Sequence, residues 1–154
     1  LMTCRPDLLP IDIKRQGRAE VHIALFYPQG DDEMRDMFVV MGRKSGVKIR
    51  AKDVPDTGGK KLSGADVEGV VNRARRLSLL EEAEGITGAH LKAALDGFIP
   101  SAEDAEKRMQ EMAAVIECTE ADMLPPKIRE KMLSPEGKAD LQRRFERLRV
   151  SLEA

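Results

Sequence analysis

The sequence predicts a mainly α-helical fold. Three observations lead there. Aromatic residues are only 3% of the 154, so the core rests on Leu, Val, Ile, Ala and eight Met. Such side chains favour helices over a β-sandwich. Apolar residues recur at i, i+3, i+4 and i+7 through most of the chain. Capping signals stand at the heads of these stretches, with Ser63 three residues before Asp66, Ser101 three before Asp104, and Pro135 directly after Ser134.

Taken in order, Leu1-Met2-Thr3 reads as the stub of a strand that starts upstream, and the chain is therefore expected to be a piece of a longer one. Leu8, Leu9, Ile11 and Ile13 suggest a short helix or turn. Val21 to Leu25 is rich in β-formers and stops at the turn Tyr27-Pro28-Gln29-Gly30, so a strand is expected there. Asp31-Asp32-Glu33 places acids where a helix N-terminus favours them. Met34, Met37, Phe38 and Met41 then follow at helical spacing, which predicts a helix over 31–43 with methionines as core filler. Val54 to Lys61 contains Pro55 and Gly58-Gly59 and is expected as loop.

A helix capped by Ser63 should bury Val67, Val70, Val71, Ala74 and Leu77 and end near Glu84-Gly85. Thr87 caps the next, with Leu91, Ala94, Leu95 and Phe98 inward. A further helix carries the stripe Ala105, Met109, Met112 and Ile116. Pro125-Pro126 breaks the chain before a short helix. The last helix starts at Ser134-Pro135 and turns Leu141, Phe145, Leu148 and Leu152 inward.

The formal net charge is −1. No segment has the basic excess that binding along nucleic acid needs. Arg73-Arg75-Arg76 is a local basic patch that reads as a solvated helix face. Cys4 and Cys118 form no CxxC pair and join no zinc-spaced cluster, which suggests a reducing compartment and a cytoplasmic setting. No apolar run approaches the roughly 20 residues that span a bilayer. His22 and His90 have no nucleophile or metal-ligand constellation in the sequence around them and read as surface or capping residues. There is no HExxH, no GxxxxGK[ST] phosphate loop and no apolar run ending in paired acids for magnesium.

The stretch Thr3-Cys4-Arg5-Pro6-Asp7, followed by Arg15-Gln16-Gly17-Arg18 and then Val21-His22-Ile23, resembles without a gap the second-region segment of the AAA+ ATPases. Ser63-Gly64-Ala65-Asp66 resembles that family's lid motif. The likeness covers about residues 1–100. It implies that 1–28 are the end of an α/β nucleotide-binding core and 29–100 a helical lid, with 101–154 a helical extension outside the resemblance. Arg15 and Arg18 match by position the arginine fingers that reach a neighbouring subunit's nucleotide in a ring, six-membered by family resemblance. Cys4 stands where the family has the sensor 1 asparagine; a thiol is a weak donor and acceptor and orients water poorly. Gly64 and Ala65 match backbone that lies against adenine and ribose. The resemblance implies ATP, as Mg-ATP in the intact protein, as cofactor and a homo-oligomer as the working form. The chain alone, lacking phosphate and metal ligands, is expected not to hydrolyse ATP. The alternative is a non-enzymatic helical module that binds protein partners and keeps the ATPase motifs as vestiges.

Overall fold

The protein is described by a computed structural model over residues 1–15, 17–99 and 104–153. Its regular elements there are helices: α1 Ile11–Lys14, α2 Asp31–Lys44, α3 Gly64–Leu80, α4 Gly88–Asp96, α5 Asp104–Glu117, α6 Pro126–Leu133 and α7 Pro135–Glu153, with short 3-10 turns at Pro6–Leu8, Ala121–Met123 and Ala51–Asp53. The chain falls into two compact units, Phe26–Ser101 and the pair of segments Leu1–Leu25 with Ala102–Ala154.

In the 26–101 unit, three acids open α2 and Arg43 with Lys44 close it, each sign matching the helix dipole at its end. Met34 and Phe38 turn inward from α2, with Met37 and Met41 packed beside them. A side chain on Gly42 would press on Ile49, whose Cδ1 lies 2.9 Å from the Cβ position, so glycine lets the chain fold back closely here. Gly46, at φ 71, supplies the left-handed residue of that reversal. The core is completed by Val67, Val70, Val71 and Ala74 of α3, by Leu91, Ala94 and Leu95 of α4, and by Leu62.

Both expected caps form as reciprocal boxes. Ser63 Oγ accepts from Asp66 N–H at 3.1 Å while the Asp66 carboxylate accepts from Ser63 N–H at 2.9 Å. Thr87 and His90 repeat the pattern at α4, with Thr87 N–H donating to His90 Nδ1 at 3.0 Å. That bond makes Nδ1 an acceptor, so Nε2 carries the proton that faces Glu81 Oε2 at 2.8 Å. His90 is thus a buried capping residue. Replacing Ser63 by Ala should lower stability by about 1 kcal/mol, read as a shifted urea midpoint with unchanged slope.

Helix ends also account for two members of the basic patch, Arg73 and Arg75. Arg73 Nη1 donates to the Gly97 carbonyl at 2.7 Å and Lys60 Nζ to the Leu95 carbonyl at 3.2 Å, both past or at the end of α4. Arg75 Nη1 donates to the Ser45 carbonyl beyond α2 at 3.0 Å. These cations meet the orphan carbonyls of helix C-termini. Helix α3 ends at Leu80, earlier than expected, because Glu82 adopts a left-handed φ of 53 and Ala83 N–H bonds the Ser78 carbonyl at 2.9 Å.

In the other unit α5 packs on α7 through Met109, Ala113 and Phe145, with Met112, Ile116 and Leu148 at the margin. Ser134 caps α7 by accepting from Gly137 N–H at 3.1 Å. Gly137 has the Lys131 carbonyl directly where a side chain would go, which keeps α6 and α7 in close succession. The expected Ser101–Asp104 box lies outside the described residues.

Two sequence expectations are corrected. Leu1-Met2-Thr3 and Val21–Leu25 are not strands: among the described residues no sheet forms. A strand exists only through a ladder with a neighbour, whereas around 21–25 the Thr119 N–H bonds the His22 carbonyl at 3.1 Å without a ladder forming among the described residues. Val21, Ile23 and Leu25 are left 59%, 54% and 75% exposed.

Candidate finger loop and lid edge

The loop that carries Arg15 and Arg18 is built by short-range bonds. Helix α1 lasts one turn and ends as Arg15 becomes extended. Gly17, at φ 83, turns the chain. Arg18 N–H donates to the Arg15 carbonyl at 3.2 Å and Ala19 N–H to the Ile13 carbonyl at 3.1 Å. Gly17 N–H donates to Glu20 Oε2 at 2.8 Å.

The two arginines converge on one residue. Arg15 Nη1 lies 3.3 Å from Asp12 Oδ1, and Arg18 Nη1 donates to the Asp12 main-chain carbonyl at 3.2 Å. Both Arg15 and Asp12 side chains are about two-thirds exposed, 69% and 65%. An ion pair this exposed contributes little to stability, so the Arg15 guanidinium can leave Asp12 for a better anion at small cost. Gln16, between them, lies outside the described residues.

Cys4 is an exposed free thiol. Its neighbour Arg5 forks onto Asp7, with Nε 3.0 Å from Oδ1 and Nη2 2.9 Å from Oδ2. The Arg5 hydrogen bonds hold the Asp7 carboxyl below its ordinary value against a smaller opposing effect of burial; the charges of Arg5 and, less, Arg149 act in the same direction. A depressed carboxylate stabilises the fold above its unfolded pKa and loses that contribution as pH falls through the folded value. Acidification below about pH 4 should therefore weaken this unit, and Asp7→Asn should flatten that part of a stability-against-pH curve.

Gly64 and Ala65 open α3 in the other unit. The Ser63 cap occupies the Asp66 N–H, whereas the first N–H groups of a helix have no intrahelical acceptor. Ala65 is exposed, and the methyl of Met41 stands 3.2 Å from where a Gly64 side chain would begin. The edge thus offers backbone donors next to an apolar wall. Arg15, Arg18 and Cys4 belong to one compact unit, Gly64 and Ala65 to the other.

Sequence reasoning missed the residues that brace the Arg15–Arg18 loop. Lys14 Nζ lies 2.9 Å from Glu117 Oε1, and His22 lies against Glu117 and Thr119. These partners are about a hundred positions apart, and no local spacing signals them. Among the described residues no group of three or more His, Cys, Asp or Glu is placed to hold a metal, and no helix is long and apolar enough to cross a membrane.

No family model matches the chain, and no solved structure matches it. The chain is similar to the ATP-dependent zinc metalloprotease FtsH of Pelobacter propionicus, with 29% identity over 106 residues. The match covers 66% of this chain and only 16% of that relative's length.

Proposed function

We propose that this chain is the C-terminal portion of an AAA+ ATPase, supplying trans arginine fingers and a helical lid to ATP hydrolysis in an oligomeric, six-membered ring. The observation that carries the reading is the Gly17 turn, which presents Arg15 and Arg18 together over exposed Asp12. The likeness to an ATP-dependent relative supports it. On this reading residues 1–28 end the nucleotide-binding core, 29–100 form the lid and 101–154 are an added helical extension.

When bound, ATP supplies the phosphoanhydride bond that is broken. The residues of this chain act around it. Arg15 and Arg18 bring permanent, forked positive charge to the phosphoryl oxygens of the neighbouring subunit's nucleotide, where charge builds in the transition state. The N–H groups of Gly64 and Ala65, beside Met41, suit the ribose and base side of a nucleotide. Cys4, in the sensor position, orients water weakly, so hydrolysis is slow or another group takes that part. The chain by itself binds ATP weakly or not at all and does not turn it over. The setting is cytoplasmic, with protein as substrate or partner.

Cys4 favours a second reading, a helical scaffold that binds protein partners with its ATPase motifs vestigial. The upstream reading frame and the intact mass of the native protein separate the two. A phosphate loop and acidic pair upstream support the motor; a degenerate loop in the mature protein supports the scaffold.

A further inference from the structure

The Arg15–Arg18 loop is gripped at both ends by one short stretch, the last residue of α5 and the two residues after it. At the entry, Lys14 Nζ meets Glu117 Oε1 at 2.9 Å, with the side chains only 16% and 25% exposed, and the same amine reaches the Pro6 carbonyl at 3.4 Å. At the exit, the His22 ring lies between two carbonyl oxygens, with Nδ1 2.9 Å from that of Glu117 and Nε2 2.6 Å from that of Ala19. Thr119 completes the grip. Its N–H donates to the His22 carbonyl at 3.1 Å, its Oγ1 accepts from His22 N–H at 2.8 Å, and its hydroxyl donates to the Glu20 carbonyl at 3.2 Å.

Glu117 is a poor choice for its own helix. It stands at the C-terminal end of α5, where carboxylates oppose the dipole, and no basic residue occupies that last turn. A locally unfavourable residue that makes a long-range, half-buried ion pair points to a demand from elsewhere in the fold. Among the described residues the loop it braces is otherwise held by bonds among its own residues, by the exposed Arg15–Asp12 pair and by the Arg18 bond to the Asp12 carbonyl.

We propose that Glu117 and Thr119 are positioning residues for the arginine fingers: the C-terminal extension fixes the Arg15–Arg18 loop from both sides, so that its guanidiniums meet a neighbour's nucleotide pre-aligned. The proposal rests on the reading of Arg15 and Arg18 as fingers, but its structural half is tested independently. Amide hydrogen exchange of Arg18 and Ala19 reads the loop directly in this chain. Glu117→Gln with Thr119→Val should accelerate exchange at these two amides by about tenfold, as expected for losing a charge-assisted pair and two hydrogen bonds. Amides of α3 such as Val70 and Val71 should stay unchanged and so report that the fold is intact. Thr119→Ser, which keeps the hydroxyl, should restore protection at the exit, and Lys14→Glu combined with Glu117→Lys should restore it at the entry.

In the ring-forming protein the double variant should lower kcat by about tenfold while KM for ATP is unchanged. Unchanged exchange at Arg18 and Ala19 overturns the brace whatever Arg15 does. Faster exchange with undiminished kcat overturns its positioning role. If Arg15→Ala itself leaves turnover intact, the finger reading fails while the exchange result still stands. Where the double variant does not fold, Thr119→Val alone, with its Ser counterpart, gives the same readout at the exit.

Discussion

If the protein works as the proposed ring, replacing Arg15 by Ala is expected to cut ATP turnover by about a thousandfold, the lower end of what a trans arginine supplies, while nucleotide affinity changes less than about threefold. The reason for the split is geometric. On the proposed reading the arginine acts on the neighbouring subunit's nucleotide, and its charge matters most as the phosphoryl group is transferred. Its ground-state partner here, Asp12, is exposed and holds it weakly. Arg15→Lys should recover little, because an ammonium cannot match the fork. Arg18→Ala should act in the same direction. Steady-state ATPase rates and fluorescent-nucleotide binding, measured on assemblies of equal size, separate the two quantities. Undiminished turnover removes Arg15 from the mechanism.

Phe38→Ala should produce the largest loss of stability in the 26–101 unit, about 3–5 kcal/mol. Phe38 is fully buried and sits in the cluster that joins α2 to α3 and α4. With few aromatics in the chain, nothing adjacent is large enough to refill the space. Val40, one turn-face away and 53% exposed, is the control; Val40→Ala should stay within about 0.5 kcal/mol. Chemical denaturation followed by far-UV circular dichroism reads both. Equal effects at the two positions contradict the placement of α2 in the core.

The helices were legible because their signals are local. Met34, Met37, Phe38 and Met41 show the inward face of α2 by spacing alone, and Ser63-x-x-Asp66 marks the start of α3 to the residue. The boundary at Leu80 was not legible, because it depends on Glu82 taking a left-handed conformation that glutamate seldom adopts. The Val21–Leu25 strand was expected from β-formers, yet a ladder requires a partner that these residues do not have here. In the candidate site, the Arg15-Gln16-Gly17-Arg18 pattern singled out the two arginines, but not Asp12 as their common tether. Nor did it expose Lys14, His22, Glu117 and Thr119, whose pairing arises only when α5 returns to the N-terminal segment. The histidines show the same limit: Thr87 announced a cap, while the burial of His90 against Glu81 comes from the tertiary fold.

The central claim is that Arg15 acts on a neighbour's nucleotide, and mixed assemblies test it most directly. On the proposed ring reading, which requires a phosphate-binding loop upstream, one population carries Arg15→Ala and the other a disabled loop, so each alone is inactive. Mixed in equal amounts, trans action predicts recovery of about a quarter of the native turnover, since one neighbour pair in four joins an intact nucleotide site to an intact finger. Turnover no higher than that of the two inactive populations contradicts the account.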